Sequence, residues 1–234
     1  MGKRLKKAII FDFGQTLVDS SQGFRITEKK VEKKIFNDLG LGSWEDFLSN
    51  YRRVRKEFHQ GGGVARKLLW DEIYSIYKRE PDHRLMKRWE KNYWDEVRMK
   101  TKPFPETGYV LEKLSNDHEL ALITNISGIS RRRLADFPEI YKFFKLIIFA
   151  GESDIPAKPN KKPFILCLKS LGISPDEAVY VGDDYDIDIC GASRAGIKPI
   201  WIKHELAALN WPDVKTDVPI IYNLYELFDL EELL

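Results

Sequence analysis

Apolar residues gather into short uninterrupted runs along two parts of this chain and recur at helical spacing in the part between them. Runs at 7–12, 119–124, 146–150, 178–182 and 198–202, with a shorter one at 219–222, predict strands. A strand covered on both faces shows no polar alternation, so such runs fit the interior of a parallel sheet. From residue 105 onward the runs alternate with helical patterns at 107–116, 129–136, 161–171, 186–195 and 224–232, the rhythm of βαβ units. Gly172 and Gly196 stand where helix-ending glycines belong, and Ser174-Pro175-Asp176-Glu177 reads as a turn into the next strand.

Residues 24–100 follow a different rule. Val31, Ile35 and Leu39, then Trp44, Phe47, Leu48 and Tyr51, then Leu68, Leu69, Ile73 and Ile76 recur three or four positions apart, and no strand pattern appears. Four helices are expected, near 25–39, 43–59, 64–79 and 82–99, broken by the turn or loop Gly61-Gly62-Gly63. The pattern predicts an α/β fold: a parallel-sheet core of residues 1–20 and 104–234, with a helical unit of residues 21–103 inserted after the first strand. Asp19–Gly23 and Thr101–Pro105 are the expected connections, the second stiffened by Pro103 and Pro105 as suits a hinge boundary. Trp44, Trp70, Trp89 and Trp94 are expected in the core of the insert.

Composition narrows the partners. With 43% hydrophobic residues the chain can build a substantial core, and 38 basic against 36 acidic residues leave a net charge of only +2. No global field favours nucleic acid or a membrane surface, and no apolar run reaches transmembrane length. Lys3, Arg4, Lys6 and Lys7 precede a strand-length run that meets Asp12, unlike a secretory leader, so a cytoplasmic location is expected. Cys167 and Cys190 lie in helical patterns without a Cys-X-X-Cys partner and are expected to be buried thiols rather than a zinc or redox pair.

Two of the predicted strands end in acid. Ala8–Phe11 runs into Asp12, and Val179–Gly182 runs into Asp183 and Asp184. Ligands of open α/β sheets bind beyond the carboxyl ends of the strands, and a hard divalent cation is the usual reason to gather carboxylates there. Four segments occur in order: Phe11-Asp12-Phe13-Gly14-Gln15-Thr16-Leu17; Thr124 at the end of Leu120–Ile123; Lys158-Pro159 with Phe164; and Gly182-Asp183-Asp184 with Asp188 five residues after Asp183. Together they resemble the motifs of the haloacid dehalogenase-like superfamily, including its Asp-X-Asp-Gly-Thr-Leu and Gly-Asp-X-X-X-X-Asp patterns, across nearly the whole chain. The resemblance implies a Rossmann-like core with helices on both faces, and an α-helical cap that closes over the site and selects the substrate.

The same resemblance implies a phosphatase. Asp12 would be the nucleophile that forms an aspartyl-phosphate. Mg²⁺ would be bound by Asp12, Asp183 and the carbonyl of Gly14, with Asp188 as an auxiliary ligand and Asp184 and Asp186 left open. Thr124 and backbone N–H groups around Asn125 would receive phosphoryl oxygens, and Lys158 would offset their charge. Each residue also has a plainer reading: Thr124 as a strand-end cap, Lys158 as a solvated loop lysine, Asp184 and Asp186 as caps of the following helix. Arg52, Arg53, Arg55, Lys56, His59 and Arg66 flank the glycine run. Most read as solvated helix faces, whereas His59 is the cap side chain expected to reach substrate.

One position departs from the phosphatase pattern. The family's second Asp, its general acid and base, is Gly14 here, and the following Gly is Gln15. Dehalogenases of the superfamily also lack that acid, but they use no metal and lack the Asp183 and Asp188 pattern. The leading expectation is a Mg²⁺-dependent phosphatase of a small phosphorylated metabolite, of unknown oligomeric state. The alternatives are a halide hydrolase and a member that binds a phospho-ligand or partner after losing its acid.

Overall fold

The computed structural model describes residues 8–60, 65–125, 136–151, 154–207 and 211–230. Its elements begin with β1 (Ala8–Phe11) and β2 (Val18–Asp19), then helices α1 (Ser21–Leu39), α2 (Trp44–Gln60), α3 (Arg66–Ile76) and α4 (His83–Lys100). They continue through β3 (Lys102–Pro103), α5 (Thr107–Leu114), β4 (Glu119–Asn125), α6 (Pro138–Tyr141), β5 (Phe144–Ala150) and α7 (Lys162–Leu171). After β6 (Ala178–Gly182) come a π turn (Tyr185–Ile189), α8 (Cys190–Arg194), β7 (Lys198–Ile202), β8 (Ile220–Ile221) and a 3-10 segment (Leu224–Leu230).

The six core strands form one parallel sheet in the order β5-β4-β1-β6-β7-β8. Successive side chains of a strand point to opposite faces, and that alternation divides the core in two. Ile9, Phe11, Leu120, Leu122, Val179 and Val181 face α5, α6 and the 3-10 segment through Val110, Leu111, Ile140, Leu224 and Leu227. Ile10, Ala121, Ile123, Ala178 and Tyr180 face α7 and α8 through Phe164, Cys167, Leu168 and Ala192. Both faces being covered explains the unbroken apolar runs. The α/β fold with a Rossmann-like sheet is as expected.

Helices α1 to α4 pack around a third cluster, in which Val31, Ile35, Phe47, Tyr51, Trp70, Ile73, Trp89, Tyr93, Trp94 and Val97 are buried and Trp44 is partly so. One ion-pair network lies inside it. Glu28 accepts hydrogen bonds from the hydroxyls of Tyr51 (3.0 Å) and Tyr93 (2.7 Å), with Arg55 and Arg66 at 3.5 and 3.9 Å. Arg66 is therefore buried rather than a solvated cation beside the glycine run.

Several boundaries differ from expectation. Helix α1 starts at Ser21, so Asp19–Gly23 is not a free linker; instead β2 and β3 pair antiparallel, Val18 with Pro103 and Asp19 with Lys102. A two-residue ribbon leaves no periodic trace in sequence, and its pairing is decided across the insert. The ribbon is extended by the hydroxyls of Ser20 and Thr101, which share a hydrogen bond of 3.0 Å. The helix expected at 224–232 is 3-10 over its described part, Leu224–Leu230; the one expected at 186–195 opens with the π turn, and α3 stops at Ile76. Gly172 caps α7 with φ +68° as expected. The expected helix at 129–136 lies almost wholly outside the described residues, as do Gly61–Gly63. Cys167 is buried but Cys190 only partly so.

Because the insert has its own apolar cluster, replacing residues 21–100 by a short Gly-Ser linker should leave a folded sheet. The remaining ends are held close by the Asp19–Lys102 pairing. Cooperative thermal unfolding with α/β circular dichroism is the expected result; a molten or insoluble product would show that insert and sheet depend on each other.

Candidate active site

Strand β1 lies between β4 and β6, so the residues that follow these three strands meet at one sheet edge. This is the switch point from which the chain winds outward in both directions. Asp12 follows β1 and donates its N–H to the Val181 carbonyl at 2.9 Å, which continues the ladder one residue beyond the strand. Thr124 and Asn125 end β4, Asp183 follows β6, and Lys158 enters from the loop after β5. Carboxylate oxygens of Asp12, Asp183 and Asp188 lie within 4.8 Å of one another.

The π turn accounts for Asp188. A wide turn after Asp184 brings the Asp188 N–H to the Asp184 carbonyl (2.8 Å) and folds its side chain back over the end of β6. A Cβ on Gly182 would lie 2.5 Å from the Asp188 Cβ, so only glycine leaves room for this return. A Cβ on Gly191 would likewise meet the Phe164 ring at 2.9 Å. Asp184 is exposed and caps the turn, accepting from Ile187 N–H at 2.9 Å. Among the described residues neither Asp184 nor Asp186 joins the carboxylate cluster.

Lys158 is 1% exposed, the opposite of a solvated loop lysine. Its ammonium donates to Asp12 Oδ1 (2.7 Å), Asp188 Oδ1 (2.6 Å) and Tyr180 Oη (2.8 Å), one acceptor for each proton. Tyr180, which the sequence reading passed over as strand core, in turn donates to Asp188 Oδ1 at 3.0 Å. Its only sequence signal was a hydroxyl on an otherwise apolar strand. Asn125 brackets the Lys158 backbone, accepting from its N–H (2.8 Å) and donating to its carbonyl (2.9 Å). Both polar ends of the Asn125 side chain are thus engaged by the Lys158 backbone. Thr124 is buried at the same sheet edge. His59 falls in the last turn of α2, and its side chain lies outside the described residues.

The electrostatics favour a cation. Burial pushes the Asp12 carboxyl up to about 6, Lys158 opposes the rise, and Asp188 adds to it. Burial and the neighbouring Asp188 and Asp12 hold Asp183 well above the usual carboxylate range. Asp12 and Asp188 hold Lys158 protonated despite its burial. One ammonium among three converging carboxylates leaves net negative charge, and an all-oxygen donor set of this kind fits a hard divalent ion such as Mg²⁺.

The family model for "Haloacid dehalogenase-like hydrolase" matches residues 9–202. A phosphoglycolate phosphatase from Aquifex aeolicus is 31% identical over 193 residues, covering 82% of each chain. The HAD-hydrolase YfnB from Bacillus subtilis, solved bound to magnesium, superposes with a TM-score of 0.69 at 17% identity, covering 97% of this chain and 99% of its own. A 2-haloacid dehalogenase from Pseudomonas syringae superposes with a TM-score of 0.63 at 22% identity, covering 97% and 98%. The latter two likenesses concern the fold.

The raised Asp12 carboxyl makes a stability prediction. Between its ordinary value near 4 and about 6, the folded protein keeps a proton that the unfolded chain has released. Stability of the metal-free protein therefore falls as pH rises through that window. Asp12→Asn removes this titration. The Tm of wild type minus that of the variant, in EDTA, should become more negative from pH 4 to pH 7, and Mg²⁺ should offset the trend. A difference that stays flat would contradict the burial of Asp12.

Proposed function

This chain belongs to the haloacid dehalogenase-like hydrolases, and from that premise we propose that it is a Mg²⁺-dependent phosphatase of a small phosphorylated metabolite. The observation that carries this reading is the convergence of Asp12, Asp183 and Asp188 at one sheet edge, with the Lys158 ammonium bound to two of them, Asp12 and Asp188. A nucleophilic carboxylate and an anionic phosphate repel each other, and this arrangement supplies the countercharge. Mg²⁺ held by Asp12, Asp183 and the Gly14 carbonyl, with Asp188 behind, would screen that repulsion. The likeness to a phosphoglycolate phosphatase and to a magnesium-bound hydrolase supports the same reading.

The residues divide the work as follows. The Lys158 ammonium at 2.7 Å keeps Asp12 aimed and favours its ionised form, as a nucleophile requires. An Asp12 oxygen attacks phosphorus, the bond from phosphorus to the ester oxygen breaks, and the departing oxygen takes a proton. Water then attacks the aspartyl-phosphate, which releases inorganic phosphate and restores Asp12. Thr124 and the backbone around Asn125, at the end of the adjoining strand, would receive phosphoryl oxygens. The inserted helices serve as the cap, and the β2–β3 ribbon carries them.

A halide hydrolase draws support from the shared fold and from Gly14, which supplies no acid. Displacement of halide by a carboxylate needs no divalent ion, so the gathered carboxylates favour the phosphatase. Phosphate release from an aryl phosphate, dependent on Mg²⁺ and lost in Asp12→Asn and in Asp183→Ala, is the expected result. Activity without Mg²⁺, or wild-type turnover in Asp183→Ala, would overturn the proposal.

Gly14 adds a prediction about the leaving group. Among the described residues, no heavy atom outside its immediate neighbours lies within 4 Å of a Cβ built on Gly14, so Gly14→Asp should fold unchanged. Gln15 cannot donate a proton near neutral pH, and its Oε1 already accepts from Ser20 N–H at 2.9 Å. Wild type should favour aryl over alkyl phosphates, approaching the ~10²–10⁴ that general acid catalysis supplies. Gly14→Asp should narrow the gap when kcat/KM is compared across leaving-group pKa. A flat wild-type profile with chemistry rate-limiting would place an acid elsewhere.

A further inference from the structure

Asp183 is gripped from outside the motifs that brought it to notice. Trp201, on β7 and fully buried, donates its indole N–H to the Asp183 backbone carbonyl at 2.8 Å. The indole is itself wedged, with the Tyr185 ring at 4.9 Å and the Lys203 ammonium 3.8 Å from its centroid. Two residues beyond β7, the buried His204 lies 3.0 Å by its Nε2 from the Thr16 carbonyl. A carbonyl only accepts, so Nε2 carries the hydrogen. The imidazole stacks on Phe104 at 3.4 Å, and its Nδ1 faces Glu106 Oε1 at 3.7 Å without a hydrogen bond. Thr16 in turn places its hydroxyl 3.5 Å from Asp183 Oδ1. One side chain therefore holds the peptide of Asp183, and the other holds the turn whose hydroxyl faces its carboxylate.

We infer that Trp201 and His204 are positioning residues that set the affinity of the carboxylate cluster for its divalent cation. The inference rests on the proposed role of Asp183 as a ligand. A carboxylate binds a small, strongly hydrated cation well only when its oxygens are held in place beforehand, because otherwise binding must also order the side chain. Removing partners that orient a ligand typically weakens metal binding by about 10–100-fold. Neither residue touches the reacting groups, so the defect should lie in metal affinity and be recovered by raising Mg²⁺.

The test is calorimetric titration of the metal-free full chain with MgCl₂, paired with the Mg²⁺ dependence of turnover. Trp201→Phe and His204→Leu should each raise the Mg²⁺ dissociation constant about tenfold. His204→Gln, which can place an amide N–H where Nε2 stood, should stay near wild type. Asp183→Asn is the control. If it binds Mg²⁺ as wild type does, the reading of the site fails and the inference with it. If Asp183→Asn loses Mg²⁺ while Trp201→Phe and His204→Leu retain wild-type affinity, only the inference fails. A measurement on the wild-type fold covers a variant that does not fold. The Trp201 indole N–H resonance should shift on Mg²⁺ addition, and an unchanged resonance overturns the inference.

Discussion

Converging carboxylates at the end of a sheet repel one another, and the structure answers that repulsion with a single buried ammonium. Lys158 gives each of its protons to a different acceptor, Asp12, Asp188 and Tyr180. An unpaired lysine at this depth would shed its charge, and unpaired carboxylates would keep their protons. Lys158 favours the ionised form of Asp12 and the carboxylates hold its own charge, whereas the carboxylates raise one another, so the arrangement holds only if all of them are placed together. Asn125 fixes the Lys158 backbone from β4, the π turn returns Asp188, and Gly182 leaves the space for it. The compensation is still incomplete: Asp12 and Asp183 remain above their ordinary range. The residual demand for positive charge links the fold to the proposed cation.

The helical insert meets the same site through the turn that follows Asp12. Gln15 has φ +61°, a left-handed conformation that costs a side chain steric strain, and its amide oxygen reaches back to the N–H of Ser20 at the start of α1. The carbonyl of Leu17 takes the Phe104 N–H and the Thr107 hydroxyl, which tie the returning segment to the same turn. The entry and exit of the insert are thus joined to each other and to the loop that carries Asp12. Further inside, Glu28 and its tyrosine and arginine partners form a satisfied polar network in an otherwise aromatic cluster. A buried network of this sort favours one packing over its alternatives only when every member is present.

Much of this was legible in the chain. Unbroken apolar runs mark strands buried on both faces, and helical spacing marks the insert, because each pattern reports local geometry. The acids after two strands, with Thr124 and Lys158 in order, marked the site because parallel strands of one sheet point their carboxyl ends the same way. What remained hidden depends on residues distant in sequence. The β2–β3 ribbon pairs residues more than eighty positions apart. The burial of Lys158 and Arg66 contradicted their surroundings in sequence, because charge partners on other elements, not neighbours in the chain, make such burial tolerable. Tyr180, Trp201 and His204 carry no mark in the sequence, since hydrogen bonds to side chains and carbonyls of other elements leave no local pattern. The sequence by itself determined the strands, the insert and the acids that end the strands, because these follow from periodicity and from chain direction. Only the tertiary structure decided which groups share charge and which hold them, because hydrogen bonds and ion pairs depend on ångström distances that no spacing along the chain encodes.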